Sequence, residues 1–223
     1  MSGIFYVVAT PIGNLEDITL RGISILSDVD IILAEDTRVT SKLTERYQIK
    51  TPITSYHQHS DDRKKLEILQ GILAGKNIAL VTDAGTPGIS DPGNELISFL
   101  LESDPSIKVV PIPGPSAIAT AMSVSGLNVS KFVFLGFLPK KGRTKLFSWL
   151  KIGEMPFSFY ESPFRLKKTL SILESEFGTD TRIVVARELT KLYETLYRGS
   201  IGKVKDELEK GKIKGEIVVI IEP

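Results

Sequence analysis

The sequence predicts an α/β fold built as two successive halves. Three observations carry this reading. Apolar, β-branched runs alternate with amphipathic stretches along the whole chain. Glycine- and proline-rich turns follow several of those runs. The length of 223 residues accommodates one large or two small domains.

The first half contains strand-like runs at 4–9, 30–34, 53–55, 77–82 and 108–112, with helical stretches at 19–26, 62–73 and 94–101. Within 62–73, Leu66, Leu69, Ile72 and Leu73 recur at helical spacing and define an apolar stripe. Strands joined through helices lie parallel, so the first sheet is expected to be largely parallel. The second half contains runs at 132–136, 156–160, 182–186, 194–198 and 216–221, with helices at 116–125 and 165–177. Too few residues separate 182–186 from 194–198 for a crossover helix, which makes them antiparallel neighbours. The rigid element Pro111-Ile112-Pro113-Gly114-Pro115 reads as a hinge. The domain boundary is placed just beyond the helix it starts, giving domains 1–126 and 127–223.

Composition excludes several classes. A hydrophobic fraction of 42% with 25% charged residues is ordinary for a globular protein and excludes disorder. With 28 Lys and Arg against 27 Asp and Glu, the net charge is +1, so any polyanion must be held by a local patch. The absence of cysteine removes disulfides, a thiol nucleophile and thiolate metal sites. Residues 109–130 carry no charge, but Pro111, Pro113, Gly114, Pro115 and Gly126 interrupt them, so they do not read as a membrane span. A cytoplasmic protein with no membrane partner is expected.

Chemistry is expected at the carboxyl ends of the strands, where open α/β sheets bind ligands. The turn Ala9-Thr10-Pro11-Ile12-Gly13-Asn14 is neither G-x-G-x-x-G nor a P-loop. That disfavours nicotinamide dehydrogenases, P-loop NTPases and the common Rossmann methyltransferases. Residues 82–93 form a long Gly-, Pro-, Asp- and Ser-rich loop whose prolines argue for order, and long ordered loops in compact domains are usually functional. Pro113-Gly114-Pro115-Ser116-Ala117 opens a helix whose free N–H groups suit a carboxylate or a ribose hydroxyl.

Charged groups follow strands at Glu35-Asp36-Thr37-Arg38, at Glu161-Ser162-Pro163-Phe164-Arg165, and at Arg187-Glu188-Leu189-Thr190-Lys191 with Glu194. His57 and His59 lack the partners of a metal site and read as hydrogen-bonding or substrate-contact groups, so no metal is expected. The run Lys140-Lys141-Gly142-Arg143-Thr144-Lys145 reads as a flexible phosphate-binding loop, ahead of the weaker candidate at 203–214.

Taken in order, these motifs resemble one family. They include Val8-Ala9-Thr10-Pro11-Ile12-Gly13-Asn14-Leu15-Glu16-Asp17, Ala34-Glu35-Asp36-Thr37-Arg38, Ser55-Tyr56-His57-Gln58-His59 and Asp83-Ala84-Gly85-Thr86-Pro87. They continue with Pro113-Gly114-Pro115-Ser116-Ala117, Gly136-Phe137-Leu138-Pro139-Lys140, Tyr160-Glu161-Ser162-Pro163, Arg187-Glu188-Leu189-Thr190-Lys191 and Lys214-Gly215-Glu216. Over essentially the whole chain the sequence resembles the tetrapyrrole methylase family, the class III S-adenosylmethionine (SAM)-dependent methyltransferases, in its ribosomal-RNA branch.

The resemblance implies two α/β domains with SAM in the cleft between them, usually in a homodimer. It implies methylation of the ribose 2′-hydroxyl of a cytidine in 16S ribosomal RNA of the small subunit. A tetrapyrrole or another small acceptor on the same fold is the alternative. Cofactor contacts are implied at Ile12, Thr86, Ile89, Ser116, Ala117, Glu161 and Leu189. Candidates for activating the hydroxyl are Glu188, Lys191 and Glu194, with Asp36 and Arg38. Two departures stand out. Phe164 occupies the position where the family pattern has His, so no catalytic role is expected there, and the usual C-terminal helical extension does not follow Pro223.

Overall fold

Strands β1 (Ile4–Val8), β2 (Ile31–Ala34), β3 (Ile53–Ser55), β4 (Ile78–Leu80) and β5 (Lys108–Ile112) form a parallel sheet in the order β3-β2-β4-β1-β5. The computed structural model describes residues 2–57, 61–91 and 93–223. Helices α1 (Leu20–Asp28), α2 (Thr37–Arg46), α3 (Asp62–Leu73) and α4 (Asn94–Ser103) connect these strands. Both sheet faces are covered, because alternate residues feed two apolar clusters. Val8, Ile32, Ala79 and Ile112 pack on one side with Leu26 and Leu43. Phe5, Leu33 and Leu80 pack on the other with Ile72, Leu96 and Leu100.

The second sheet contains β6 (Val133–Phe137), β7 (Phe157–Glu161), β8 (Arg182–Arg187), β9 (Thr195–Ser200) and β10 (Ile217–Glu222), in the order β6-β7-β10-β8-β9. It is mixed: β6 and β7 run parallel, while β10 is antiparallel to both β7 and β8. The expected antiparallel pairing of β8 with β9 is present. Helices α6 (Arg143–Ile152), α7 (Pro163–Phe177) and α8 (Ile201–Glu209) bury Phe147, Leu166, Leu170 and Val204 against Phe157, Phe159, Val185 and Val219. Helix α5 (Ala117–Ser123) packs against β10.

The chain divides into Met1–Ser116 and Ala117–Pro223. The division therefore falls ahead of the expected boundary at 126/127, because α5 belongs with β10 and not with the strand before it. The α3 stripe also differs. Ile68 and Ile72 are buried, while Leu66 and Leu73 remain 48% and 49% exposed. Among the described residues no helix is long and apolar enough to cross a membrane.

Candidate active site

In the first unit, three turns meet at the carboxyl edge of the sheet. Thr10 and Gly85 exchange backbone hydrogen bonds of 2.9 and 3.0 Å, and Thr10 Oγ1 donates to the Thr82 carbonyl at 2.9 Å. Thr86 Oγ1 donates to the Pro115 carbonyl at 3.3 Å. Backbone conformation favours glycine at this junction: Gly85 has a φ of +85°, although an added Cβ would meet only ordinary contacts, 3.5 Å from Ile12 Cγ2 and 3.9 Å from the Pro115 oxygen. The long loop is pinned where Asn94 Nδ2 donates to the Gly88 carbonyl at 2.7 Å. Ile89 stands out from it, 47% exposed, whereas Ile12 is buried. Ser116 and Ala117 are partly buried at the start of α5. A glycine junction beside apolar Ile12, with Thr86 on the adjoining turn, fits a nucleoside-bearing ligand such as SAM.

The same edge carries carboxylates. Asp36 caps α2 by accepting from the Arg38 backbone at 2.9 Å, and its carboxylate grips the Arg38 guanidinium at 2.6 Å. Those bonds to Arg38 hold its pKa down to about 2, so Asp36 is a poor base. Arg38 itself is 87% exposed in its side chain. Asp83 Oδ1 accepts from the Asp36 backbone at 2.9 Å, and Thr82 Oγ1 donates to Glu35 at 3.2 Å. Burial, reinforced by Glu35 and Asp83, pushes Asp91 up to about 6. Sequence reasoning placed Asp91 in the loop without a role. Its environment arises only when the loop folds back over the strand ends, so spacing along the chain does not reveal it.

In the second unit, Glu161 at the end of β7 is buried and holds a network. Its Oε1 accepts from Arg165 Nε at 2.6 Å and from the Ser162 backbone at 2.8 Å. Its Oε2 accepts from Thr169 at 2.6 Å and lies 3.4 Å from Arg143. Any ligand contact by Glu161 therefore does not rest on a free carboxylate. Arg143, expected to touch phosphates, is also buried: its Nε donates to the Pro139 carbonyl at 2.7 Å and its Nη1 to Thr169 at 2.7 Å. Arg165 Nη2 donates to the Leu138 carbonyl at 3.1 Å. The segment expected to be a flexible basic loop is thus anchored from beneath and turns into α6 at Gly142, whose φ is +79°.

The turn after β8 gathers three of the expected catalytic residues. Glu188 and Thr190 adopt left-handed φ values of 53° and 64°, uncommon for side-chain-bearing residues. Glu188 is fixed by an exchange with Glu216: its N–H donates to the Glu216 carbonyl at 3.0 Å, and its Oε1 accepts from the Glu216 N–H at 2.9 Å. Lys191 Nζ lies 3.1 Å from both Glu188 Oε1 and Glu216 Oε2. Glu194 accepts from the Thr190 N–H at 2.6 Å. Leu189 is buried in the same turn. The Glu216 N–H and the Lys191 ammonium hold the Glu188 carboxyl below the usual range. Burial pulls the Lys191 pKa down, but the Glu216 and Glu188 carboxylates outweigh it and the net shift is upward. The turn therefore presents a fixed cation, not a base.

Asp36 and Arg38 belong to the first unit, and Glu188, Lys191 and Glu194 to the second. His57 is exposed, and His59 lies outside the described residues. Among the described residues no three His, Asp or Glu side chains gather as metal ligands.

A family model described as tetrapyrrole (corrin/porphyrin) methylases matches residues 5–205. The chain belongs to this family. Membership makes this tetrapyrrole methylase a methyltransferase that uses SAM as methyl donor. It is 46% identical over 221 residues to a protein of Synechocystis sp. named ribosomal RNA small subunit methyltransferase I, covering 98% of this chain and 78% of that protein. A Bacillus subtilis protein of the same name is 46% identical over 222 residues, covering 99% and 75%. A Thermotoga maritima protein of that name is 44% identical over 220 residues, covering 98% of both.

Among solved structures, a cobalt precorrin-4 methyltransferase of cobalamin biosynthesis superposes with a TM-score of 0.75 at 16% identity, covering 97% of this chain and 93% of that one. Uroporphyrin-III-C-methyltransferase from Thermus thermophilus gives a TM-score of 0.65 at 16% identity, covering 98% and 94%. At those identities the likeness concerns the fold, which is the expected α/β type with two sheets.

Proposed function

We propose that this tetrapyrrole methylase transfers a methyl group from SAM to the ribose 2′-hydroxyl of a cytidine in 16S ribosomal RNA of the small subunit. The observation that carries the reading is the set of relatives named as small-subunit ribosomal RNA methyltransferases, 44–46% identical over at least 98% of this chain. The tetrapyrrole-acceptor alternative rests on structures only 16% identical and is not favoured.

The residues that contact the cofactor in this reading are Ile12, Thr86, Ile89, Ser116, Ala117, Glu161 and Leu189. SAM supplies an activated methyl group when bound. The chain's own task is to hold the acceptor oxygen in line and to ease departure of its proton. Lys191 suits the second task as an electrostatic group, since an ammonium beside a ribose hydroxyl lowers that hydroxyl's pKa. Glu188 and Glu194 act as positioning residues, the first through Lys191 and the second through the Thr190 N–H. Asp36 and Arg38 shape the first unit's edge. Lys140 and Lys141, both exposed, contact phosphates, which gives a nearly neutral chain its local positive surface. The enzyme works in the cytoplasm as a homodimer.

Labelled SAM offered with small subunits, free 16S RNA and a tetrapyrrole precursor tests this reading. Label is expected in RNA, and label only in the tetrapyrrole would overturn it.

A further inference from the structure

The edge of the second sheet carries an arrangement of aromatic side chains that the methyl-transfer chemistry does not require. Phe134 and Phe137 are three residues apart on edge strand β6, so a regular strand would point them to opposite faces. A register irregularity between them, at Gly136 with a φ of +61°, brings both rings against Tyr160 of β7. The centroid distances to Tyr160 are 5.0 Å for Phe134 and 5.2 Å for Phe137, both edge-on. Phe137 is nevertheless 65% exposed, and Phe164, in the first turn of α7, is 96% exposed. The two belong to one rim, because Arg165, next to Phe164, donates to the carbonyl of Leu138, next to Phe137.

Exposing two aromatic rings to water is unfavourable unless something stacks on them. The surroundings state the chemistry of that partner. Residues 131–153 contain no acid and, apart from the buried Arg143, five exposed lysines, of which Lys140 and Lys141 follow the rim directly. Lys167 and Lys168 lie three and four residues beyond Phe164 on α7, all three exposed. The bonds from Arg143 to Pro139 and from Arg165 to Leu138 fix the segment that carries the lysines. Planar apolar faces beside a rigid cationic strip match a single-stranded nucleic acid, whose bases stack while its phosphates pair with lysines.

We propose that Phe137, braced by Tyr160, and Phe164 form a stacking platform for unpaired bases of the RNA substrate, with Lys140, Lys141, Lys167 and Lys168 along its backbone. The proposal deepens the reading of an RNA methyltransferase and rests on it.

The test is binding of a fluorescein-labelled 12-nucleotide oligocytidylate to the full chain, followed by anisotropy across a salt series. Phe164→Ala and Phe137→Ala should each weaken binding by about 5- to 150-fold while leaving the log–log salt slope unchanged. Phe164→Trp should restore affinity and Phe164→Leu should not, because stacking needs a planar face. Lys140→Ala with Lys141→Ala should instead flatten the slope by about 0.7 per lost contact.

Wild-type affinity in both alanine variants, or full affinity in Phe164→Leu, would overturn the platform. So would failure of the unmodified chain to bind the oligonucleotide. Methylation of small subunits by the unmodified chain is measured separately. If it methylates RNA while the Phe variants bind normally, the platform alone is wrong; if no RNA is methylated, the functional reading fails.

Discussion

Arg143 places its guanidinium 3.4 Å from the Glu161 carboxylate, with the Arg143 side chain 8% exposed and that of Glu161 fully buried. With Arg165 and Thr169, the pair ties the segment before α6 to the end of β7. Removing one member of such a network leaves a buried charge uncompensated. Glu161→Ala is therefore expected to lower unfolding stability by about 3–5 kcal/mol in urea titrations. Arg143→Met combined with Glu161→Gln should lose less than Glu161→Ala alone, and an equal or greater loss would contradict the network.

Gly215 makes the position of Glu188 possible. A Cβ there would stand 2.3 Å from Glu188 Cδ, and its φ of +89° is itself strained for any other residue. Gly215→Ala should push Glu188 off the Glu216 N–H and release Lys191. The turnover number is expected to fall by about 100-fold, the scale of an ångström's misplacement, with SAM affinity unchanged. Steady-state kinetics and calorimetry on the same variant check this. Unaltered turnover would remove Lys191 from the proposed role.

Ala117 tests the cofactor placement. Ala117→Leu adds bulk beside the Pro113–Ser116 turn, and overfilling a formed site is destabilising to its occupant. Calorimetric affinity for SAM should be lost while the melting temperature of the unliganded chain stays within a few degrees. Full affinity would exclude Ala117 from the site.

Asp91 makes stability depend on pH. Its pKa is about 6 in the folded chain against an ordinary 3.8, so the folded state binds the proton more tightly than the unfolded state. The penalty is absent below the unfolded value, grows as pH rises between the two, and is complete above the folded value. Asp91→Asn should therefore match the unmodified chain near pH 3.5. At pH 7.5 it should exceed it by about 1 kcal/mol, because solvent screening at this half-buried group reduces the roughly 1.4 kcal/mol per pKa unit. Urea midpoints at the two pH values decide this, and a variant that is no more stable at pH 7.5 would contradict the burial of Asp91.

Much of this was legible in the sequence, for identifiable reasons. Among the described residues the ten strands fall on the runs expected at those positions, and the parallel first sheet follows from the helices between them. Helix α2 was not visible in the pattern because it buries only Thr40, Leu43 and Thr44 and depends on the Asp36 cap. Helix α6 was hidden behind Lys140, Lys141 and Arg143, which read as one basic loop until burial separates Arg143 from the two lysines. The turns at 9–14, 82–93 and 113–116 were identifiable from their glycines and prolines. The raised proton affinity of Asp91 and the net upward shift of Lys191 were not, because the first depends on burial and on Glu35, and the second on Glu216, just ahead of β10, as well as on nearby Glu188.

The central claim concerns which atom receives the methyl group. Small ribosomal subunits incubated with the chain and methyl-labelled SAM, followed by digestion of the 16S RNA to nucleosides and mass spectrometry, measure it directly. The account predicts label in 2′-O-methylcytidine, strongly reduced in Lys191→Met and retained in part in Lys191→Arg. Label on a nucleobase, or none in RNA while a tetrapyrrole acceptor is methylated, would contradict it.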